Sequence, residues 1–310
     1  MRKNIQRLGY SLVSLLFIVI VIGSYVIVAQ SPITGEWKGD TRVGKEDTGK
    51  TSGKLQLSFE VRTEKGHNQH GSSFDYKDLQ GLTADQTQNG RVSFRLVREA
   101  GTIEAEGTFV NGKGSGTFRF TPDSNYVTAM RSRGFDFERA GSKGHDNGEA
   151  KLLSAALLNV TTALADDLKS IEIGPIDTDD LFKAAIFKVD SKFMAEMKAT
   201  GYPNLKMEDL VKARIFKIDS DFVRKVNDMG FADRDFESMV KFSIFKVTPE
   251  FLAELKDEGF TKLSSEDVVQ FRIFKIDRDF IRKAKSEDPN VTVQDMVQMK
   301  IGVRKFKGTN

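Results

Sequence analysis

IFKVD at Ile186–Asp190 returns as IFKID at Ile215–Asp219, IFKVT at Ile244–Thr248 and IFKID at Ile273–Asp277. Each start lies 29 residues after the one before. A constant period of this length is the mark of stacked supersecondary units. Each unit reads as two helices. In VTPEFLAELKDEGF, Thr248 stands at the N-cap and Pro249 suits the first helical position; Phe251 and Leu255 lie one turn apart, and Gly259 ends the helix. Asp190, Asp219 and Asp277 take the cap position in sister units, and Gly201 and Gly230 take the stop. The second helix opens at Ser264, with Asp267 three residues on, and runs through VVQFRIF.

The frame extends upstream, where the lettering no longer shows it. Leu164, Leu168 and Leu181 precede Phe193, Met197 and Leu210 by the same 29 residues. Earlier still, FTPDSNYVTAMRSRGF repeats the Pro, aromatic and Gly-aromatic landmarks. FERAGSKGHDNG, near 137–148, is then an insertion inside a unit. The helical region is expected to span 122–310 with five to six units, and to pack against the region before it.

Residues 31–121 follow a period of two instead. KLQLSFEVR sets Leu55, Leu57, Phe59 and Val61 on one face, and GRVSFRL does the same with Val92, Phe94 and Leu96. Ile103, Ala105, Phe109, Phe118 and Phe120 continue the pattern. Such alternation predicts antiparallel strands with one buried and one wet face. Asn89-Gly90 and Asn111-Gly112 read as tight hairpin turns. The expected fold class is α+β: an N-terminal apolar helix, a meander of about six strands forming a small barrel or curled sheet, then an αα solenoid.

The N-terminus decides the compartment. MRKNIQR is followed by an apolar run from Leu8 to Ala29, long enough to span a bilayer at ~20 residues. Residues 1–30 are therefore a cleaved signal peptide or an inner-membrane anchor through 8–29, and the rest is exported, periplasmic or otherwise extracytoplasmic. The chain of 310 residues has 39% hydrophobic and 29% charged residues and a formal net charge of +3, which gives no case for a nucleic-acid partner. It has no cysteine, which excludes disulfides, thiolate metal sites and cysteine nucleophiles.

Four motifs invite chemistry, and their contexts argue against it. GKEDTGKT, Gly44–Thr51, fits the phosphate-loop pattern, yet a strand pattern follows where a helix must start, and Glu46 and Asp47 would face the phosphates. It reads as a polar hairpin loop, so no nucleotide is expected. His67 and His70 in HNQH sit in a Gly- and Ser-rich stretch read as a solvated loop, with no third ligand at metal spacing. Ser115 in GKGSG lacks the strand-to-helix turn of a nucleophile elbow. Gly35-Glu36-Trp37 looks like the lipocalin G-x-W start, against the plainer reading of Trp37 as a core residue.

The helical units resemble a family of two-helix repeats in bacterial envelope proteins, with a [ST]-P-E-[FY]-x-x-E-[ML]-x-x-x-G-[FY] core that TPEFLAELKDEGF matches throughout. In that family the repeats follow an export segment and a β region, or trail a membrane metallopeptidase of the penicillinase-sensor type. The resemblance covers roughly 120–301 and implies no activity by itself. None of the three histidines begins H-E-x-x-H, so proteolysis is not implied here.

On the second helix of a unit, Leu210, Val211, Ile215 and Ile218 read as the core stripe, with Phe216 off it. Phe187, Phe216, Phe245 and Phe274 recur beside Lys188, Lys217, Lys246 and Lys275. Each Phe either seals the seam to its neighbour while each Lys complements a helix C-terminus, or the eight residues form an aromatic and basic ladder along one edge. The ladder would take a protein or an anionic envelope polymer. The expected function is a non-enzymatic interaction scaffold without cofactor or metal, exported or held at the membrane by its N-terminal segment. The alternatives are a carrier whose β face of Leu55, Leu57, Phe94 and Phe118 holds a small apolar ligand, and an extracytoplasmic hydrolase.

Overall fold

The computed structural model describes residues 32–41, 53–63, 66–137, 148–171, 173–228, 230 and 235–305. The apolar run 8–29, the GKEDTGKT segment, His145 and residues 138–147 of the insertion lie outside them. Among the described residues no helix is long and apolar enough to cross a membrane.

Seven strands come first among the described residues: β1 (Ile33–Asp40), β2 (Lys54–Thr63), β3 (Gly66–Asp75), β4 (Leu79–Gln80), β5 (Asn89–Arg98), β6 (Gly101–Val110) and β7 (Lys113–Pro122). They form one antiparallel sheet in the order β3-β2-β1-β7-β6-β5-β4. Every neighbour is consecutive in the chain except β1 and β7, which join the two arms through pairs such as Ile33↔Phe120 and Trp37↔Gly116. The sheet is a curled half-barrel, with β3 and β4 at its two edges.

Three expectations about this region need correction. HNQH is not a loop: His67 and His70 lie in β3, which pairs with β2 from Thr63↔Gly66 to Lys54↔Asp75. Gly and Ser hid the strand because they carry no apolar alternation, and the ladder to β2 holds it instead. Asn89-Gly90 is not a turn but the start of β5, with Asn89 opposite Val110. The Asn89 side chain accepts the Asn111 amide at 3.0 Å, so it braces the true hairpin, Asn111-Gly112, where φ is 51° and 78°. With β3 counted, the strands among the described residues number seven.

The tight curl depends on two facing glycines. Gly107 pairs with Gly116, and a Cβ on Gly116 would stand 1.9 Å from the Glu106 carbonyl oxygen. A Cβ on Gly107 would meet the Ser115 carbonyl oxygen at 2.2 Å and the Trp37 ring at 2.6 Å. Only glycine lets the strands bend this sharply. Trp37 fills the bend, fully buried, with its indole N–H donating to the Glu106 carbonyl at 3.0 Å. Phe94 meets its ring edge-on at 5.3 Å. Trp37 is thus a core residue.

Twelve helices follow among the described residues: α1 (Ser124–Ser132), α2 (Gly148–Leu158), α3 (Thr162–Lys169), α4 (Thr178–Phe187), α5 (Ser191–Lys198), α6 (Met207–Ile215), α7 (Ser220–Asp228), α8 (Phe236–Ile244), α9 (Pro249–Asp257), α10 (Ser265–Ile273), α11 (Arg278–Glu287) and α12 (Val293–Lys300). Asp123 joins β7 directly to α1 as its N-cap, accepting from the Asn125 amide at 2.8 Å. Helix α2 is apolar nearly all round, with Leu152, Leu153, Ala155, Ala156 and Leu157 buried. Such a helix belongs inside a core, and α2 touches β3, β6 and β7 as well as α4. At the β5–β6 turn, the Glu99 carboxylate accepts the Thr162 amide at 2.8 Å, which ties the start of α3 to the sheet.

Even-numbered helices then pack on even-numbered ones, α4 on α6, α6 on α8, α8 on α10 and α10 on α12, and α7 packs on α9. An ion pair staples each of the first three even steps, from α4 to α10. Lys183 meets Glu208 at 2.9 Å, Lys212 pairs with Glu237, and Lys241 meets Glu266 at 3.2 Å, each pair one period after the last. The hydrogen bonds that Lys183 donates to Glu208 and then to Asp180 raise its ammonium above its ordinary value. These pairs are largely exposed and each contributes little.

Candidate functional site

The recurring pentapeptide is an elbow between two helices. Its last residue caps the following helix: the Asp190, Asp219 and Asp277 carboxylates accept the Phe193, Phe222 and Phe280 amides at 2.8, 2.8 and 2.9 Å, and the Thr248 hydroxyl accepts from Phe251. Its fourth residue closes the preceding helix. The amides of Val189, Ile218, Val247 and Ile276 reach back to the carbonyls of Ala184, Ala213, Phe242 and Phe271 at 2.7–3.0 Å, while the side chains of those four residues are 1% exposed. This is a Schellman stop with its apolar anchor.

Between them stands a lysine in the left-handed region. Lys188, Lys217, Lys246 and Lys275 have φ of 54°, 53°, 54° and 50°, and Asn159, one period earlier, has 54°. A stop of this kind normally takes glycine, because a Cβ costs about 1–2 kcal/mol there. The four lysine side chains are exposed at the ends of α4, α6, α8 and α10.

Phe187, Phe216 and Phe274 are half-buried and pack against the core, whereas Phe245 is 36% exposed. The apolar row that faces water is the isoleucine one. Ile186, Ile215, Ile244 and Ile273 are 52, 51, 49 and 46% exposed. This corrects the placing of Ile215 on the core stripe; Leu210 and Ile218 are buried there as expected. The helical pattern alone cannot separate the two sides of a last turn, because the chain leaves the helix at Phe216. The signal that was available is the αL stop: once Lys217 is left-handed, Ile218 turns inward and Ile215 is left at the rim.

Cations line the same end. Arg214 stacks on Phe193, 3.7 Å from the ring centre, and Arg272 on Phe251 at 4.9 Å. The Arg272 side chain also donates to the Phe245 carbonyl at 3.2 Å, occupying an oxygen that the helix end leaves open.

Elsewhere the β face named for an apolar ligand is filled, with Leu55, Leu57, Phe94 and Phe118 at most 3% exposed in the common core. The outer face carries a groove of about 670 Å³ lined by Glu36, Glu60, Arg95, Glu104, Glu106 and Arg119 among others. Arg95 and Glu104 pair across it at 3.5 Å. Ser115 lies on β7, opposite Lys38 and Thr108. Among the described residues no group of three His, Cys, Asp or Glu side chains is arranged to hold a metal ion. Tyr126 is the most perturbed hydroxyl: burial, with Glu99 nearby, pushes it far above its ordinary value, and it donates to the Val160 carbonyl at 3.0 Å. That bond ties α1 to the start of α3 and serves packing.

The fold thus defines an α+β protein, a curled antiparallel half-barrel followed by helices in a 29-residue period. Comparison with protein families, curated proteins and solved structures returns no match for this chain.

Proposed function

We propose that this chain is an exported or membrane-anchored interaction scaffold whose helical units form a solenoid of the bacterial-envelope repeat type, working without a catalytic centre or cofactor. The observation that carries this is the edge made by the ends of α4, α6, α8 and α10, where the same Ile-Phe-Lys triplet stands four times in register. Even-on-even packing supports the solenoid, since each unit leans on its neighbours, and continuous surfaces of this kind serve recognition. The filled β face weakens the carrier reading.

The partner is a protein or an anionic envelope polymer, met outside the cytoplasm, with residues 8–29 as the anchor when they are retained. Affinity capture from envelope extract tests this. The full chain should retain a partner, and Lys188→Gln, Lys217→Gln, Lys246→Gln and Lys275→Gln together should weaken capture at low salt while helicity persists. Undiminished capture by that variant would remove the lysine row from the interface.

A further inference from the structure

We infer that the edge built by Ile186, Ile215, Ile244 and Ile273 with their lysines docks an acidic amphipathic α-helix of a protein partner, laid across the ends of α4, α6, α8 and α10. The inference rests on the scaffold reading and gives its partner a chemistry.

Retention within the chain is the first argument. Of the five residues in each elbow, the Phe packs against the core in three units and is exposed at Phe245, the Val or Ile anchors the stop and the Asp or Thr caps the next helix. The Ile and the Lys have no such task. The Ile is about half exposed, and glycine would fit the lysine position with less strain. Yet both are identical in four units, while exposed positions a few residues on change even the sign of their charge: Lys192, Asp221, Glu250 and Asp279 are equivalent, as are Glu196, Lys225, Glu254 and Lys283.

The molecule itself covers the first member of the row. One period before Ile186 stands Leu157 of α2, which is buried. Leu157 shares a cavity of about 270 Å³ with His70, Gly71 and Ser72 of β3 and with Ile186. The uncovered row is therefore continuous with an interface the chain already uses, so the position is one that packs against another element.

Charge and spacing choose the occupant. Lys188, Lys217, Lys246 and Lys275 make no ion pair among the described residues, and Asp190, Asp219 and Asp277 beside them are engaged by helix amides. The edge is basic and calls for carboxylates. Stacked helices lie about 8–10 Å apart. Seven residues of an α-helix advance about 10.5 Å, whereas same-side positions on a strand recur at about 6.7 or 13 Å. An apolar residue at every seventh place of a helix therefore meets successive isoleucines, and about 22 residues span four units.

The test uses the full chain in neutral detergent and a labelled synthetic helix of that length, with Leu at every seventh place flanked by Glu. A control peptide has the same composition with Leu at every fifth place. By anisotropy the heptad peptide should bind at least about tenfold more tightly than the control. Ile215→Ser with Ile244→Ser should weaken it by about the same factor. Lys217→Gln with Lys246→Gln should weaken it at low salt and flatten its salt dependence. Circular dichroism checks that both variants melt like the parent. Equal binding of the two peptides, or binding untouched by both variants, overturns the inference. So does preferential binding of phosphatidylglycerol vesicles that the same variants abolish, which would make the edge a lipid surface. Envelope capture separates the two readings: if the Ile variant loses its partner but the peptide never binds, the helical occupant fails and the scaffold stands. Capture that survives every variant sinks both.

Discussion

The sheet and the helices of this protein are held together over different sequence distances. In the sheet, the first strand is closed by the last: Ile33 pairs with Phe120, and Trp37 lies opposite Gly116. Its core cannot form in parts. In the helical region the stops and caps are settled within about five residues, and the even-numbered helices from α4 on lean on their equivalents one period away. Long-range pairing makes a region fold as one body, whereas stacked units share stability with their nearest neighbours. Damage should therefore spread through the sheet and stay local in the helices.

The strongest way to break that contrast is at the glycine pinch. Gly116→Val should cost at least ~3 kcal/mol, because a Cβ meets the Glu106 carbonyl at 1.9 Å and backbone cannot give way as a side chain does. Hydrogen exchange should accelerate across all long strands, and protection kept in β5 and β6 would show that the sheet is not one unit. Leu255→Ala, at a position 1% exposed in α9, should cost about 2–5 kcal/mol by denaturant unfolding. Faster exchange should centre on α7 to α11; uniform acceleration reaching the sheet would instead make the whole chain a single cooperative body. Asp277→Ala removes the acceptor of the Phe280 amide and should cost about 1 kcal/mol, with fraying confined to the start of α11.

Two smaller effects sharpen the picture. Lys217→Gly relieves a left-handed lysine and should stabilise by about 0.5 kcal/mol, once the greater freedom of unfolded glycine is subtracted. A lower melting temperature would mean that the lysine itself supports the stop. Last is the Arg133–Asp166 pair, at 2.7 and 2.9 Å, which joins the end of α1 to α3. The hydrogen bond from Arg133 lowers the Asp166 carboxyl below its ordinary value. Stability from a depressed carboxyl is present above its unfolded value and is lost as pH falls through the folded one. Arg133→Gln should therefore lower melting slightly at neutral pH and make no difference in strong acid. An equal gap at both ends would show that the pair acts through packing.

Much of the helical region was legible because its rules act over short spans. Thr248 with Pro249, the glycine stop at Gly230 with φ of 76°, and the Ser264–Asp267 capping box are all where the letters put them. Their chemistry closes within a turn, so neighbours in sequence suffice. The buried faces of β2, β5, β6 and β7 were legible for the same reason, since pleating fixes which side each residue takes.

The period, the caps and the alternation, together with the α+β class they add up to, follow from the order of the residues. Three features come from packing between distant segments: β1 joins β7, a Gly- and Ser-rich segment is a strand because β2 holds it, and Asn89 braces a turn made elsewhere. The same packing leaves Ile215 facing water while Ile218 is core. Each of these depends on what approaches from a distant part of the chain, and burial is a property of that approach and is not carried by a residue's own chemistry.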